Sequence, residues 1–229
     1  MSRAILVMGE SGSGKTTSLR TLDPERTFIV DADRKGLSWR GWRKSYNTGK
    51  KNYFQTSSVP KIMEVLNRID KGDLKHIKTV IIDTLNMCMT DDEMNRMREK
   101  TFDKWADLAW SIWGILTNIH LYREDLTVVC MAHAQTDRDE NGYMFTRMKT
   151  SGRKLDKLVP EAKFTTVLLS REIDGKYVFV TQADRSTAKS PMGCFPKEIP
   201  NDMAAVIAAL KEYEDDDADD APETGGKTK

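Results

Sequence analysis

The 229-residue sequence has no apolar run near the roughly 20 residues that a helix needs to cross a bilayer, so no membrane partner is expected. Its opening, Met1-Ser2-Arg3-Ala4-Ile5-Leu6-Val7-Met8, runs into a glycine loop instead of a signal-peptide cleavage site. Cysteine is scarce. Cys88, Cys130 and Cys194 are odd in number, far apart and without C-x-x-C spacing, which argues against a disulfide framework or a zinc site. These absences point to a soluble protein of a reducing cytoplasm. Nor does one sign of charge dominate, with 36 basic and 35 acidic side chains. Of these, 3 basic and 8 acidic residues fall after residue 210, leaving 33 against 27 and a body that leans toward polyanionic partners.

Length and composition fit one α/β domain over residues 1–213 with a polar, acidic tail over 214–229, expected to be disordered. Ala4 to Met8 is a short apolar strand ending at Gly9, and Lys15 to Leu22 is helix-compatible and stopped by Asp23-Pro24. Thr27 to Val30 is a second strand, followed by a basic and aromatic stretch, Arg34 to Gln55, without periodicity. Pro60 to Asp70 predicts a helix, Thr79 to Asp83 a buried strand, Asp91 to Tyr122 one long helix or two, and Leu126 to Ala132 a further strand. Ala134 to Leu158 reads as a polar loop segment. Two runs flanking Asp174-Gly175 predict an antiparallel hairpin at the sheet edge, and Asn201-Asp202 caps a last helix, Met203 to Tyr213.

The strand–loop–helix at the start carries Gly9-Glu10-Ser11-Gly12-Ser13-Gly14-Lys15-Thr16, a G-x-x-x-x-G-K-[ST] match followed by Thr17. Glycines let successive backbone N–H groups converge on an anion, Lys15 supplies a cation for the outer phosphates of ATP, and the Thr16 hydroxyl suits Mg²⁺. Asp83, closing a buried strand, is the candidate second group for the metal, because ligands of open α/β sheets lie at the carboxyl ends of strands. The expected fold is therefore an α/β P-loop core, a mainly parallel sheet flanked by helices.

Thr27-Phe28-Ile29-Val30-Asp31-Ala32-Asp33, the P-loop and Ile81-Ile82-Asp83-Thr84 together resemble the RecA-like recombinases in motif and in order. The resemblance implies a RecA-like core and makes Asp33 the catalytic carboxylate, one methylene shorter than the glutamate usual there. The chain begins at the P-loop strand, so the amino-terminal arm of many recombinases is expected to be missing. Size, the early P-loop, Ala188-Lys189-Ser190-Pro191-Met192-Gly193 and the acidic tail look most like phage annealing proteins of the Sak-four type. That likeness implies an ATPase stimulated by single-stranded DNA, acting in annealing or strand exchange as a homo-oligomer in the host cytoplasm. A single-strand binding protein is a further candidate partner.

The segment after Ala132 occupies the place of the DNA-binding loops in that family and offers Arg138, Tyr143, Phe145, Arg147, Lys149, Arg153 and Lys154. Cations along phosphates and rings under bases hold single strands without sequence preference. Arg34 to Lys51, with Trp39, Trp42 and Tyr46, reads equally as a second such surface or as packing. His133 stands where this fold senses the terminal phosphate, with Gln135 as the alternative, and Arg185 or Lys189 reads as a phosphate contact or as ordinary surface charge. The tail reads as a solvated appendage, a DNA mimic, or a lure for a basic partner. A small P-loop kinase and a nucleotide-switched, non-hydrolysing scaffold remain the alternatives to the ATPase reading.

Overall fold

The computed structural model describes residues 1–101, 103–138 and 140–216, the side chains of Arg153 and Asp216 excepted. Nine strands form one sheet: β1 (Arg3–Gly9), β2 (Thr27–Asp31), β3 (Tyr53–Phe54), β4 (Thr79–Asp83), β5 (Thr127–Arg138), β6 (Met144–Met148), β7 (Thr166–Ile173), β8 (Lys176–Val180) and β9 (Glu198–Pro200). Among the described residues six α-helices accompany them: α1 (Trp42–Ser45), α2 (Val59–Lys71), α3 (Leu85–Asn95), α4 (Asp103–Asn118), α5 (Arg153–Leu158) and α6 (Met203–Asp216).

The strand order is β3-β2-β4-β5-β1-β7-β8-β9, with β6 paired to the outer half of β5. From β3 to β7 the pairs are parallel; β8 and β9 extend the sheet in antiparallel fashion. The central strands read as unbroken apolar runs because both faces are covered. Leu6, Met8, Val30, Ile82 and Cys130 face one core with α2, α3 and α4. Ile5, Val7, Ile29, Ile81 and Met131 face the other with α6 and the aromatic stretch after β2. Each fully buried Ile, Leu or Val contributes roughly 1.5–3 kcal/mol, so these strands fix the frame from which the loops at their carboxyl ends project.

α2 shows why the local pattern was readable. Pro60 sits in its first turn, Ile62, Val65, Leu66 and Ile69 fall on one face at helical spacing, and Gly72 ends it. The 91–122 pattern resolves into α3 and α4, and α3 begins earlier than expected, at Leu85, directly after Asp83-Thr84.

Three expectations are corrected. The turn after the glycine loop is a 3₁₀ helix, Thr16–Thr21, because the Ser18 amide is shared between Gly14 and Lys15 carbonyls and the Ser18 hydroxyl also donates to Lys15 O. The polar stretch after Ala132 is not an irregular loop. It continues β5 and turns back as β6, in register from Ala134↔Met148 to Arg138↔Met144. Ala134, Thr136 and Thr146 share one side of it, with Thr136 exposed, so the apolar–polar contrast that marks a strand is weak. Finally, α6 runs past Tyr213 to Asp216, and Glu214 accepts a hydrogen bond of 3.0 Å from Arg3 in β1. The rest of the expected acidic tail, 217–229, lies outside the described residues. Among the described residues, no helix is long and apolar enough to cross a membrane.

Candidate nucleotide site

β1 delivers the glycine loop to the carboxyl edge of the sheet, with β4 and β5 delivering Asp83 and His133 to the same edge; Gly9 lies in register with His133. The loop has no room for side chains at two of its glycines. A Cβ at Gly9 would sit 2.7 Å from Ser170 O, and one at Gly14 would sit 2.8 Å from the Tyr177 ring. Gly14 also has φ +91°, a left-handed conformation that favours glycine. Ser170 in β7 anchors the loop, its hydroxyl donating to Ser13 O at 2.6 Å.

The Lys15 ammonium is buried and donates to Gly9 O and Glu10 O at 2.8 and 2.7 Å. Burial pulls its pKa down to about 8, against the opposing pull of Asp83. Thr16 donates to one Asp83 oxygen at 2.8 Å, while the other, Oδ1, is buried without a hydrogen-bond partner among the described residues. Burial raises the Asp83 carboxyl to about 6. A buried, half-satisfied carboxylate beside a threonine hydroxyl, next to a glycine cradle, fits a hard divalent cation shared with phosphate oxygens. Among the described residues no group of three or more His, Cys, Asp or Glu is placed to hold a metal, so substrate oxygens and water would complete its shell.

Asp33 lies beside this pair, just past β2. Thr84 donates to its Oδ1 twice, from the hydroxyl at 2.8 Å and from the amide at 3.2 Å, and Lys35 donates to Oδ2. Burial pushes the Asp33 carboxyl upward, but the hydrogen bonds from Lys35 and Thr84 outweigh it and hold the acid below its ordinary range. Asp31 does other work: it accepts from Tyr53, Gln55 and the Gly36 amide and so pins the chain after β2.

A pocket of about 320 Å³ gathers Lys15, Thr16, Lys35, Asp83, His133 and Tyr177, with Ser11, Gly12, Gly14, Thr17, Ser38 and Thr84 also in its lining. Thr17 and Ser38 share a hydrogen bond of 2.9 Å. Glu10 and Ser13 instead line a second pocket, of about 440 Å³, on the other flank of the loop beneath the β5–β6 hairpin. Sequence reasoning missed Thr84, Ser38 and Tyr177 here and placed Lys35 in a stretch read equally as a nucleic-acid surface or as packing. Lys189 is not brought to the phosphate pocket: its backbone pairs with Val167, in the first half of β7.

His133 joins the pocket to the hairpin. Its amide donates to the Asn86 side-chain oxygen at 2.6 Å, the Asn86 amide group donates to Lys149 O at 2.8 Å, and the Lys149 amide donates to His133 O at 2.8 Å. Burial, with Lys15 second, lowers the His133 pKa and so disfavours the charged ring. Beyond this clasp, Tyr143, Phe145, Arg147 and Lys149 alternate onto the hairpin face that Thr146 and Met148 leave for solvent.

Lys149, Lys154 and Arg138 are exposed, and the Arg185 guanidinium lies 5.8 Å from the Tyr143 ring centroid. Arg147 is also held by Asp137 and Asp156, at 2.9 and 2.7 Å, and joins the hairpin to α5. The Arg153 side chain lies outside the described ones. In the 34–55 stretch the rings pack: Trp39 meets Tyr46 edge-on at 6.0 Å, Trp42 meets Tyr53 at 5.2 Å, and all four contribute to the second core.

No curated protein matches the chain in sequence. Residues 1–191 match the AAA domain family, AAA_24, a span that takes in the glycine loop, both acids and the hairpin. Spanning most of the sequence, that match agrees with the pocket's chemistry, and the chain belongs to the AAA domain family of nucleotide-binding ATPases.

Proposed function

We propose that this chain is a Mg²⁺-dependent ATPase whose nucleotide state sets the posture of a single-stranded-DNA-binding hairpin, serving annealing or strand exchange in a phage as a homo-oligomer. One observation carries the reading: β5 runs without interruption from His133 in the phosphate pocket to Arg138 near the hairpin tip, and Tyr143, Phe145 and Lys149 alternate onto one face of the returning arm. Lys15 and the loop amides would hold the phosphates, and Thr16 and Asp83 the cation. Bound Mg²⁺ neutralises charge on the phosphate oxygens. Asp33 would accept the proton of the attacking water, and His133 would report the terminal phosphate to the hairpin. Tyr177, beside Gly14 and about half exposed, offers a ring for the base.

Tyr143, Phe145, Lys149, Lys154 and Arg138, joined by Arg185, are the candidate strand-binding residues, with phosphates on the cations and bases on the rings. The test is an ATPase assay with and without single-stranded DNA. Stimulation by DNA that disappears in Lys15→Ala supports the reading; turnover indifferent to DNA removes the hairpin from it.

A second reading has its own support. Both oxygens of Asp33 are engaged by Thr84 and Lys35, which suits a nucleotide-switched scaffold that does not hydrolyse. Tight nucleotide binding with no phosphate release, even with DNA, would favour it.

A further inference from the structure

We propose that Lys35 is a second phosphate-binding cation, one that distinguishes nucleoside triphosphate from diphosphate, and that its contact with Asp33 caps that acid until the terminal phosphate arrives. The inference rests on the ATPase reading of the pocket and adds a specificity-determining residue to it.

The backbone around Lys35 is fixed from behind. The Gly36 amide donates to Asp31 at 2.8 Å, and Asp31 is held in turn by Tyr53 and Gln55, so the turn after β2 cannot drift from the sheet edge. From this fixed point the Lys35 side chain enters the phosphate pocket beside Lys15, Thr16 and Asp83. Its ammonium rests on Asp33 Oδ2, and the two side chains differ sharply in exposure, 56% for Lys35 against 5% for Asp33. The lysine therefore approaches the acid from the solvent side and covers it. The same charge bears on the Asp83 carboxyl and on Lys15, which places it within reach of the whole cluster.

The two pocket lysines are not equivalent. Lys15 is buried and tied to two carbonyls of its own loop, Gly9 O and Glu10 O. Lys35 is held by a single carboxylate, on a flexible four-carbon stem with rotatable donors. A terminal phosphate adds negative charge to a pocket in which Lys35 is the cation free to re-aim. When Lys35 turns to that phosphate, Asp33 keeps the two Thr84 hydrogen bonds on Oδ1 and recovers Oδ2 as a proton acceptor. No bond is made or broken in this exchange; one ion pair replaces another. An ordinary surface ion pair between neighbours in sequence would leave nucleotide selectivity untouched.

The test titrates the intact protein, with Mg²⁺, against ADP and against a non-hydrolysable ATP analogue, reading binding by calorimetry. Lys35→Ala is expected to weaken the triphosphate analogue about tenfold while leaving ADP within about twofold, the scale of one charge-assisted contact. Lys35→Arg retains most of the preference, and Lys15→Ala weakens both ligands together. Lys35→Met keeps the stem and separates lost charge from lost packing. Equal affinities for the analogue in wild type and Lys35→Ala, or parallel loss of both ligands, would overturn the assignment of Lys35 while leaving the pocket intact. Absence of binding of either ligand to the wild type would overturn the ATPase reading and this inference with it.

Discussion

Replacing Asn86 with alanine tests whether pocket and hairpin are mechanically joined. The change removes an acceptor from the His133 amide and a donor from Lys149 O, the first partly buried and the second exposed. A hydrogen bond of this kind contributes about 1 kcal/mol net, and the partly buried His133 amide left without a partner adds a similar amount, so the hairpin base loses roughly 1.5–2 kcal/mol. Local opening then becomes roughly 10–30-fold more frequent, since 1.4 kcal/mol is a factor of ten. Native-state hydrogen exchange reads this directly: amides of residues 134–138 and 144–148 should exchange roughly 10–30-fold faster in Asn86→Ala, with those of β1 and β4 unchanged. Adding nucleotide should slow hairpin exchange in the wild type and not in the variant. Unchanged hairpin exchange would refute the clasp. A uniform rise across the sheet would refute it as well, by making Asn86 a general stabiliser.

Other perturbations follow from particular contacts. Arg147→Ala should loosen the hairpin from α5 and lower the melting temperature by a few degrees with little effect on the salt dependence of single-strand binding. Lys149→Ala and Lys154→Ala should each reduce that log–log slope by about 0.7, read by fluorescence anisotropy across salt concentrations. Tyr177→Ala should weaken nucleotide binding by roughly 1–3 kcal/mol if its ring stacks on the base, with Tyr177→Phe near wild type; an unaffected alanine variant would remove the ring from the site. Burial pushes the Tyr46 phenol up to about 12, above its unfolded value near 10. The native state therefore holds that proton longer, so stability is intact below pH 10 and falls by about 1.4 kcal/mol per pH unit from there toward 12. Denaturant melts of Tyr46→Phe over that window should show a shallower decline.

What was legible in the sequence was what is local. The apolar run into a glycine-spaced loop specifies β1 and the cradle together, and Val80-Ile81-Ile82-Asp83 marks a buried strand that must present its acid at the sheet edge. The residues that escaped notice reach the pocket through tertiary register. Tyr177 arrives because the β7–β8 hairpin pairs it with Glu172, and nothing near it in sequence signals a nucleotide. Thr84 and Asn86 are ordinary helix-start residues until Asp33 and β5 are set beside them. Counting cations after Ala132 found the exposed Lys149 and Lys154 but could not see that Arg147 is held between Asp137 and Asp156. The hairpin itself was hidden because Ala134, Thr136 and Thr146 on one of its faces differ too little from the polar residues of the other to show a period of two.

The spacing of Asp83, Thr84 and Asn86 makes the proposed coupling short-range. Within four residues the chain contacts the P-loop threonine, the candidate base and the foot of the hairpin, and α3 begins among them, so the three contacts are joined by one short covalent segment. The magnitudes suit a switch. A clasp worth roughly 1.5–2 kcal/mol lies within the 1–3 kcal/mol typical of coupling between sites, enough to shift hairpin affinity about tenfold with nucleotide. The Lys35–Asp33 pair has one exposed partner, 56% for the lysine against 5% for the acid, so the ammonium can turn toward a terminal phosphate on the solvent side without itself being buried.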